Sequence, residues 1–189
     1  MLPALAVAES LSRRGARVQF AGSPERIEAR LVPDAGYELL PLHTAGLPRR
    51  PSMAGARALG SALRAPLTAR RLLRRYRPDV VMGGGGYVGG PTVLAARLVG
   101  IPAALTEADA HFGLANRLAA PFASTALLAY PIEGRDGDKY RVVGRPIPAR
   151  SEASIDRAEA RRSFGLPETG ELVLVVGGSL GASALNRAV

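Results

Sequence analysis

PDVVMGGGGYVGGP, Pro78 to Pro91, is the stretch whose reading decides the fold. Val80, Val81 and Met82 make a short apolar run that reads as a buried strand, and Gly83 to Gly90 follow with only Tyr87 and Val88 larger than hydrogen. A loop without Cβ atoms lets backbone N–H groups approach a ligand closely, and Pro91 reads as the first turn of the next helix. The guest such a loop suits is an anion or a sugar. A plain strand-to-helix turn has the same composition, so the cluster alone names no ligand.

Working outward, the pattern occurs a second time. LVLVVGGSLGASALN, Leu172 to Asn186, runs from an apolar strand-like segment through Gly177, Gly178, Ser179 and Gly181 into a helical start. Two such loops, each at the C-terminal end of an expected parallel strand, suit a cleft between two nucleotide-fold domains.

The 189 residues, 47% of them hydrophobic, suffice for one full α/β domain and part of another. No apolar run approaches the ~20 residues that span a bilayer, and the start lacks the charged and apolar regions of a signal peptide, so the chain is expected to be cytosolic. Zero cysteines exclude disulfides, thiolate catalysis and cysteine-ligated zinc. Two histidines, His43 and His111, leave little for a metal site, and no metal or other cofactor is expected.

The formal charge is +9, and its placement is uneven. Between Leu39 and Pro78 stand Arg49, Arg50, Arg57, Arg64, Arg70, Arg71, Arg74, Arg75 and Arg77 with no carboxylate, which accounts for the whole excess. Arg57, Arg64 and Arg71 recur every seven residues while Leu59, Leu63 and Leu67 recur every four, the spacing of an amphipathic helix despite Pro66. Such a face can be merely solvated, and the preference for arginine over the single lysine is compatible with that. Nucleic acid is the weakest reading, since the segment has one aromatic, Tyr76, and no binding module, and no nucleic-acid partner is expected. An anionic membrane surface fits better, since Leu47, Met53 and the leucines supply apolar contact beside the charge.

In chain order, residues 3 to 14 have helical spacing and a stop at Gly15. Val18 to Ala21 reads as a strand, Ser23-Pro24-Glu25 as a capped helix start, and Tyr37 to Leu42 as a second strand. After the Pro78 to Pro91 stretch, a helix ends near Gly100 and Ala103 to Leu105 is a buried strand. Leu114 to Phe122 is helical, and Ala126 to Ala129 and Arg141 to Val143 are strands. This alternation predicts a doubly wound parallel sheet. Residues 148 onward read as a linker, then Asp156 with Glu159 as a capping-box start for a helix closed by Gly165. The expected division is a domain over 1–147 and a linker plus the start of a second domain over 148–189.

The segments PALAVAESL, RIEARLVPDAGYELLPL, YRPDVVMGGGGYVGGPTVLAARLVGIPAALTE, GLANRLA, VVGRPI and VLVVGGSLGASALN together resemble the MurG-like family of peptidoglycan N-acetylglucosaminyltransferases, in order and spacing, over nearly the whole chain. The resemblance implies the GT-B architecture, two Rossmann-like domains facing a cleft. It implies metal-independent, inverting transfer of N-acetylglucosamine from UDP-N-acetylglucosamine to lipid I, a muramyl-pentapeptide on undecaprenyl diphosphate. It also implies a peripheral place on the inner face of the bacterial membrane, where Arg57, Arg64, Arg70, Arg71, Arg74 and Arg75 would meet anionic lipid.

Carried over residue by residue, Gly85, Gly86, Tyr87 and Gly90 correspond to the acceptor-side glycine loop, with Glu107 and Asn116 of GLxN beside it. Gly178, Ser179 and Gly181 correspond to the donor-side loop, and Asp109 and Arg150 are donor-side candidates. The chemistry needs a base for the acceptor hydroxyl and hydrogen-bond donors for departing UDP. Glu107 and His111 are the base candidates within this sequence, since the family's own candidate histidine belongs to a GGTxGH loop that would precede Met1.

The sequence departs from the family where HEQN is replaced by Thr106-Glu107-Ala108-Asp109, and where Arg145 and Pro148 stand for the usual asparagine and arginine. Met1 is read as an internal methionine, with both flanks of the protein lost. A doubly wound sheet has its first strand at the centre, so an unpaired gap is expected there, together with low stability and no activity for this piece alone. Asn116 also reads as a loop bridge, His111 as a polar loop residue, Tyr87 as a packing residue and Arg150 as a linker charge. Two other functions stay open: a related UDP-sugar transferase with another lipid acceptor, and a non-catalytic membrane-recruiting subunit of a split glycosyltransferase. A dinucleotide oxidoreductase is disfavoured, because neither loop completes GxGxxG with an acidic partner.

Overall fold

The computed structural model describes residues 1–43, 53–149, 156–176, 183 and 185–188; for 53–63, 87, 185 and 186 it describes the backbone alone. The chain divides into two compact units, Met1–Ser151 and Glu152–Val189, a few residues beyond the boundary expected from the linker composition.

The first unit alternates helix and strand. Helix α1 (Leu2–Arg13) has Pro3 in its first turn, buries only Ala6 and Ala8, and ends before Gly15, whose φ of +85° suits a residue without Cβ. Strand β1 (Gln19–Gly22), helix α2 (Glu28–Asp34) and strand β2 (Glu38–Pro41) follow. Helix α3 (Met53–Tyr76) then runs 24 residues with Pro66 inside it. Its inner face is Ala65, Ala69 and Leu73, spaced by four, and these small buried residues let it lie close on the next helix. α3 ends at Arg77, which carries the left-handed φ of +46° usually left to glycine and donates its N–H to Leu73 O at 2.8 Å. Strand β3 (Val81–Gly83), helix α4 (Gly86–Leu98), strand β4 (Ala103–Glu107), helix α5 (Leu114–Ala119), a 3₁₀ turn (Ala120–Phe122), strand β5 (Thr125–Leu128) and strand β6 (Tyr140–Val142) complete the unit.

All strand pairs are parallel, as the alternation predicts, but they form two sheets, β1-β2 and β3-β4-β5-β6. Gln19 is level with Glu38 in the first, and Val81 with Ala103, Leu105 with Ala126 and Leu128 with Val142 in the second. No ladder joins the two sheets among the described residues. The larger core gathers on the four-stranded sheet, around Val93, Leu105, Ala126 and Leu128, each fully buried, with Leu42 arriving from the end of β2. Near-continuous apolar strands covered by helices are what a parallel sheet requires.

Three local expectations need correction. Ser23-Pro24-Glu25 does not start a helix: Ser23 Oγ donates to the Glu25 carboxylate at 2.6 Å, Glu25 also meets His43 Nδ1 at 2.9 Å, and α2 begins only at Glu28. The Ser23 hydroxyl is turned toward Glu25, and the residue that stands at the α2 N-cap is Ile27, which makes no side-chain capping bond. Pro91 does not open α4 but lies inside it, because the helix already starts at Gly86. Finally, Leu172–Val176 is not a strand.

In the second unit, helix α6 (Arg157–Ser163) starts as expected on Asp156, whose Oδ2 accepts from Ala158 N at 3.0 Å and Glu159 N at 3.3 Å, and a four-residue helix α7 (Leu185–Ala188) follows later. Residues 171–176 are exposed and belong to no ladder, because a strand needs a partner and no other strand occurs among this unit's described residues.

Candidate functional site

The first glycine stretch serves three separate needs. A Cβ on Gly83 would stand 2.7 Å from Val93 Cγ2 and 3.2 Å from Leu105 Cδ2, and one on Gly89 would stand 3.3 Å from Gly84 N. These two glycines let α4 press directly on β3. Gly85 and Gly86 have φ of +76° and +68°, which turn the chain from strand to helix in a conformation that Cβ atoms disfavour. Gly86 borders open space, since a Cβ there would meet nothing within 4 Å, and one on Gly84 would make ordinary contact with Thr106 Oγ1 at 3.7 Å. The result is a hollow with a backbone floor at the C-terminal end of β3 and the N-terminus of the 13-residue α4, where unpaired N–H groups carry partial positive charge.

The opposite wall comes from the end of β4. Glu107 Oε2 accepts from Gly113 N at 2.9 Å and from Asn116 Nδ2 at 3.0 Å, while Oε1 accepts from Asp109 N at 3.3 Å. One carboxylate therefore ties down the whole connection to α5. Asn116 is 1% exposed; its Nδ2 also reaches Thr106 O at 3.0 Å, but its Oδ1 is buried and has no hydrogen-bond partner. The whole amide packs on the glycine turn, with Nδ2 3.5 Å and Oδ1 3.7 Å from where a Cβ on Gly85 would stand. Phe112 anchors the connection from below, edge-on to Tyr140 at 6.0 Å with Arg135 4.8 Å over its ring. Thr106 Oγ1 bonds Gly83 O at 3.3 Å, joining the two walls.

Of the residues singled out in the sequence, Gly85, Gly86, Glu107 and Asn116 come together at this hollow. Gly90 instead packs against Ala115 O on α5, and Tyr87 is placed in the first turn of α4. Asp109 and His111 are exposed on the connecting loop, and Glu107 has its oxygens engaged by the loop it organises. Arg150, Gly178, Ser179 and Gly181 lie outside the described residues. Gly83, Gly89 and Thr106 are the participants that pattern reading passed over; the signal for the first two was present, since both sit within the glycine run. Among the described residues no cluster of three or more His, Asp or Glu side chains could hold a metal ion.

Arg64, Arg71, Arg74 and Arg75 are exposed along α3 and Arg70 is half-buried, while Arg57 belongs to the part of the helix described by backbone only. Arg75 lies 5.6 Å over the Tyr76 ring. No carboxylate on α3 answers these charges. Among the described residues no helix is long and apolar enough to cross a membrane.

The chain is similar to known glycosyltransferases. The UDP-N-acetylglucosamine–N-acetylmuramyl-(pentapeptide) pyrophosphoryl-undecaprenol N-acetylglucosamine transferase of Halothermothrix orenii is 38% identical over 99% of this chain and 52% of its own length. The transferase of the same name from Clavibacter sepedonicus is 42% identical over 99% of this chain and 52% of its own. The chain thus spans about half the length of the curated relatives it matches. Among solved structures, Acinetobacter baumannii MurG superposes with a TM-score of 0.65 at 28% identity, covering 80% of this chain and 43% of that one. The Streptomyces glycosyltransferase SsfS6, at 16% identity and a TM-score of 0.50, shares the fold. Residues 1–128, which hold the hollow and both its walls, match the glycosyltransferase family 28 N-terminal domain, and the chain belongs to that family.

Proposed function

We propose that this chain is the acceptor-side part of a transferase that moves N-acetylglucosamine from UDP-N-acetylglucosamine to lipid I. The single observation that carries the reading is the hollow at Gly84 to Gly86, where the N-terminus of α4 meets the C-terminal end of a parallel strand with open space at Gly86. A diphosphate matches the amides and the helix dipole, and the buried Asn116 amide braces the turn that presents them. Glu107 then acts by holding the wall in place. Gly178, Ser179, Gly181, Asp109 and Arg150 are the proposed donor contacts, and the general base is His111 or a group outside these residues. No step in this reading requires a metal ion, because amide donors can stabilise departing UDP.

The arginine face of α3 brings the chain to the cytoplasmic surface of an anionic membrane. Each arginine near such a surface contributes about 1 kcal/mol and the effect fades with salt. The test is calorimetric binding of a short-chain lipid I analogue, with diacylglycerol as the competing acceptor and phosphatidylglycerol vesicles as the surface. Binding of the muramyl diphosphate but not diacylglycerol supports the reading, and the reverse favours a transferase with another lipid acceptor. Sedimentation with vesicles should fall at least tenfold in R71E/R74E/R75E, since about 3 kcal/mol of attraction is removed; unchanged sedimentation refutes the membrane role.

A further inference from the structure

A groove of about 580 Å³ opens where α3 and α4 both end and β3 and β4 both begin. Leu73, Arg74 and Arg77 line it from the end of α3, Leu98 and Val99 from the end of α4, and Ile101 from the connection into β4. The strands are parallel and the hollow follows β3, so the groove lies at the opposite end of the sheet. β6 also ends, at Val142, on the hollow's side. Leu73 is buried, Val99 and Ile101 are half-buried and Leu98 is 59% exposed, so the apolar lining runs from the core to the surface.

Two cations border this apolar lining without an answering charge. Arg74 and Arg77 are exposed, and neither makes an ion pair among the described residues; Asp79, the nearest carboxylate in sequence, pairs with neither. The helix dipole favours a cation near the end of α3, which accounts for Arg74 with no ligand. Arg77 needs more. Its φ of +46° is the one positive value outside glycine among the described residues. Glycine closes a helix in this conformation without steric cost, and Pro78 already turns the preceding residue away from helix geometry. A long side chain held in a strained backbone points to a use for its head group.

We propose that the groove is a binding site for an alkyl phosphate monoester, with the phosphate on Arg74 and Arg77 and the chain along Leu73, Leu98, Val99 and Ile101. A phosphate monoester carries a charge of about −1.5 to −2 at neutral pH, which two guanidinium groups balance. Their planar forks also suit its oxygens. A carboxylate or a phosphodiester brings one charge and leaves one arginine unanswered, while inorganic phosphate leaves the apolar lining in water. The volume falls within the roughly 300–1,000 Å³ usual for small-molecule sites. This site is separate from the hollow at Gly84 to Gly86 and stands without it.

The experiment is titration of the 189-residue chain with octyl phosphate below its micelle concentration, followed by calorimetry and by the methyl NMR signals of Val99 and Ile101. One molecule should bind per chain and shift both residues' methyls, with octanol and inorganic phosphate each weaker by about tenfold or more. R77G should weaken binding by about tenfold or more while its thermal midpoint stays no lower than the parent's, because glycine suits the backbone there. L98D, at an exposed position, should weaken binding by about fivefold or more without unfolding the chain. The absence of saturable binding overturns the proposal, as does binding that survives both R77G and L98D. Shifts confined to the amides of Gly84 to Gly86 overturn it by placing the phosphate in the hollow. Attachment to phosphatidylglycerol vesicles with no binding of dispersed octyl phosphate also overturns it, since surface attraction needs no groove.

Discussion

Adding one methyl group at Gly83 tests how β3 and α4 are held together. A Cβ there stands 2.7 Å from Val93 Cγ2, 3.2 Å from Leu105 Cδ2 and 3.3 Å from Gly89 O. Val93 and Leu105 are both fully buried, so neither can swing into solvent to make room. Overpacking of this kind destabilises by about 1–3 kcal/mol, which for a chain of this size lowers Tm by roughly 2–12 °C. G83A measured by urea and thermal unfolding should show that loss. Trimming Val93 removes the closest clashing atom, so G83A/V93A should lose at least about 1 kcal/mol less than the sum of the single variants. G86A is the contrast: open space surrounds that position, its penalty of about 1–2 kcal/mol comes from the left-handed backbone, and V93A should not relieve it. If G83A is as stable as the parent, or if its loss simply adds to that of V93A, the direct seating of α4 on β3 is wrong.

Three further outcomes follow from the geometry. E107Q keeps the side-chain shape but removes the charge from bonds to Gly113 N and Asn116 Nδ2, so hydrogen exchange across 108–116 should speed up by about tenfold or more, with β3 and β4 unaffected. The Ser23 hydroxyl, with His43 assisting, holds the Glu25 carboxyl below its ordinary value; whatever stability this contributes is complete at neutral pH and fades as pH falls through the lowered pKa. S23A should therefore move the Glu25 titration upward in a carbon-detected NMR experiment, and an unmoved titration would show that the hydroxyl is not the cause. D156A removes the cap that serves Ala158 N and Glu159 N, and should weaken α6 by about 1 kcal/mol, read as faster exchange at those two amides.

Most of the first unit was legible because its strands are short apolar runs punctuated by glycine and proline, and parallel strands buried on both faces leave that mark. What failed to show were choices between local partners. Ser23 satisfies every sequence rule for a helix cap, yet Glu25 lies two residues away and takes the hydroxyl first. Leu172–Val176 has a strand's composition, but a strand is a relation between segments, and composition says nothing about whether the other segment is at hand. At the site, the glycines were visible as a group although their separate duties were not, because close approach to Val93 and turning at Gly85 are indistinguishable in one dimension. Glu107 and Asn116 were singled out individually; that one carboxylate joins Asp109, Gly113 and Asn116 depends on how the connection over 108–113 curls back on itself.

The two sides of the hollow therefore differ mechanically. One is bolted, with Val93 of the helix seated directly on the bare Gly83 of the strand; the other is gathered around the anionic hinge pin at Glu107. A guest that fits poorly will be accommodated by the suspended side, so changes of ligand preference should arise from substitutions in the loop at 108–113, while the bolted side fixes where the guest's charged end must rest.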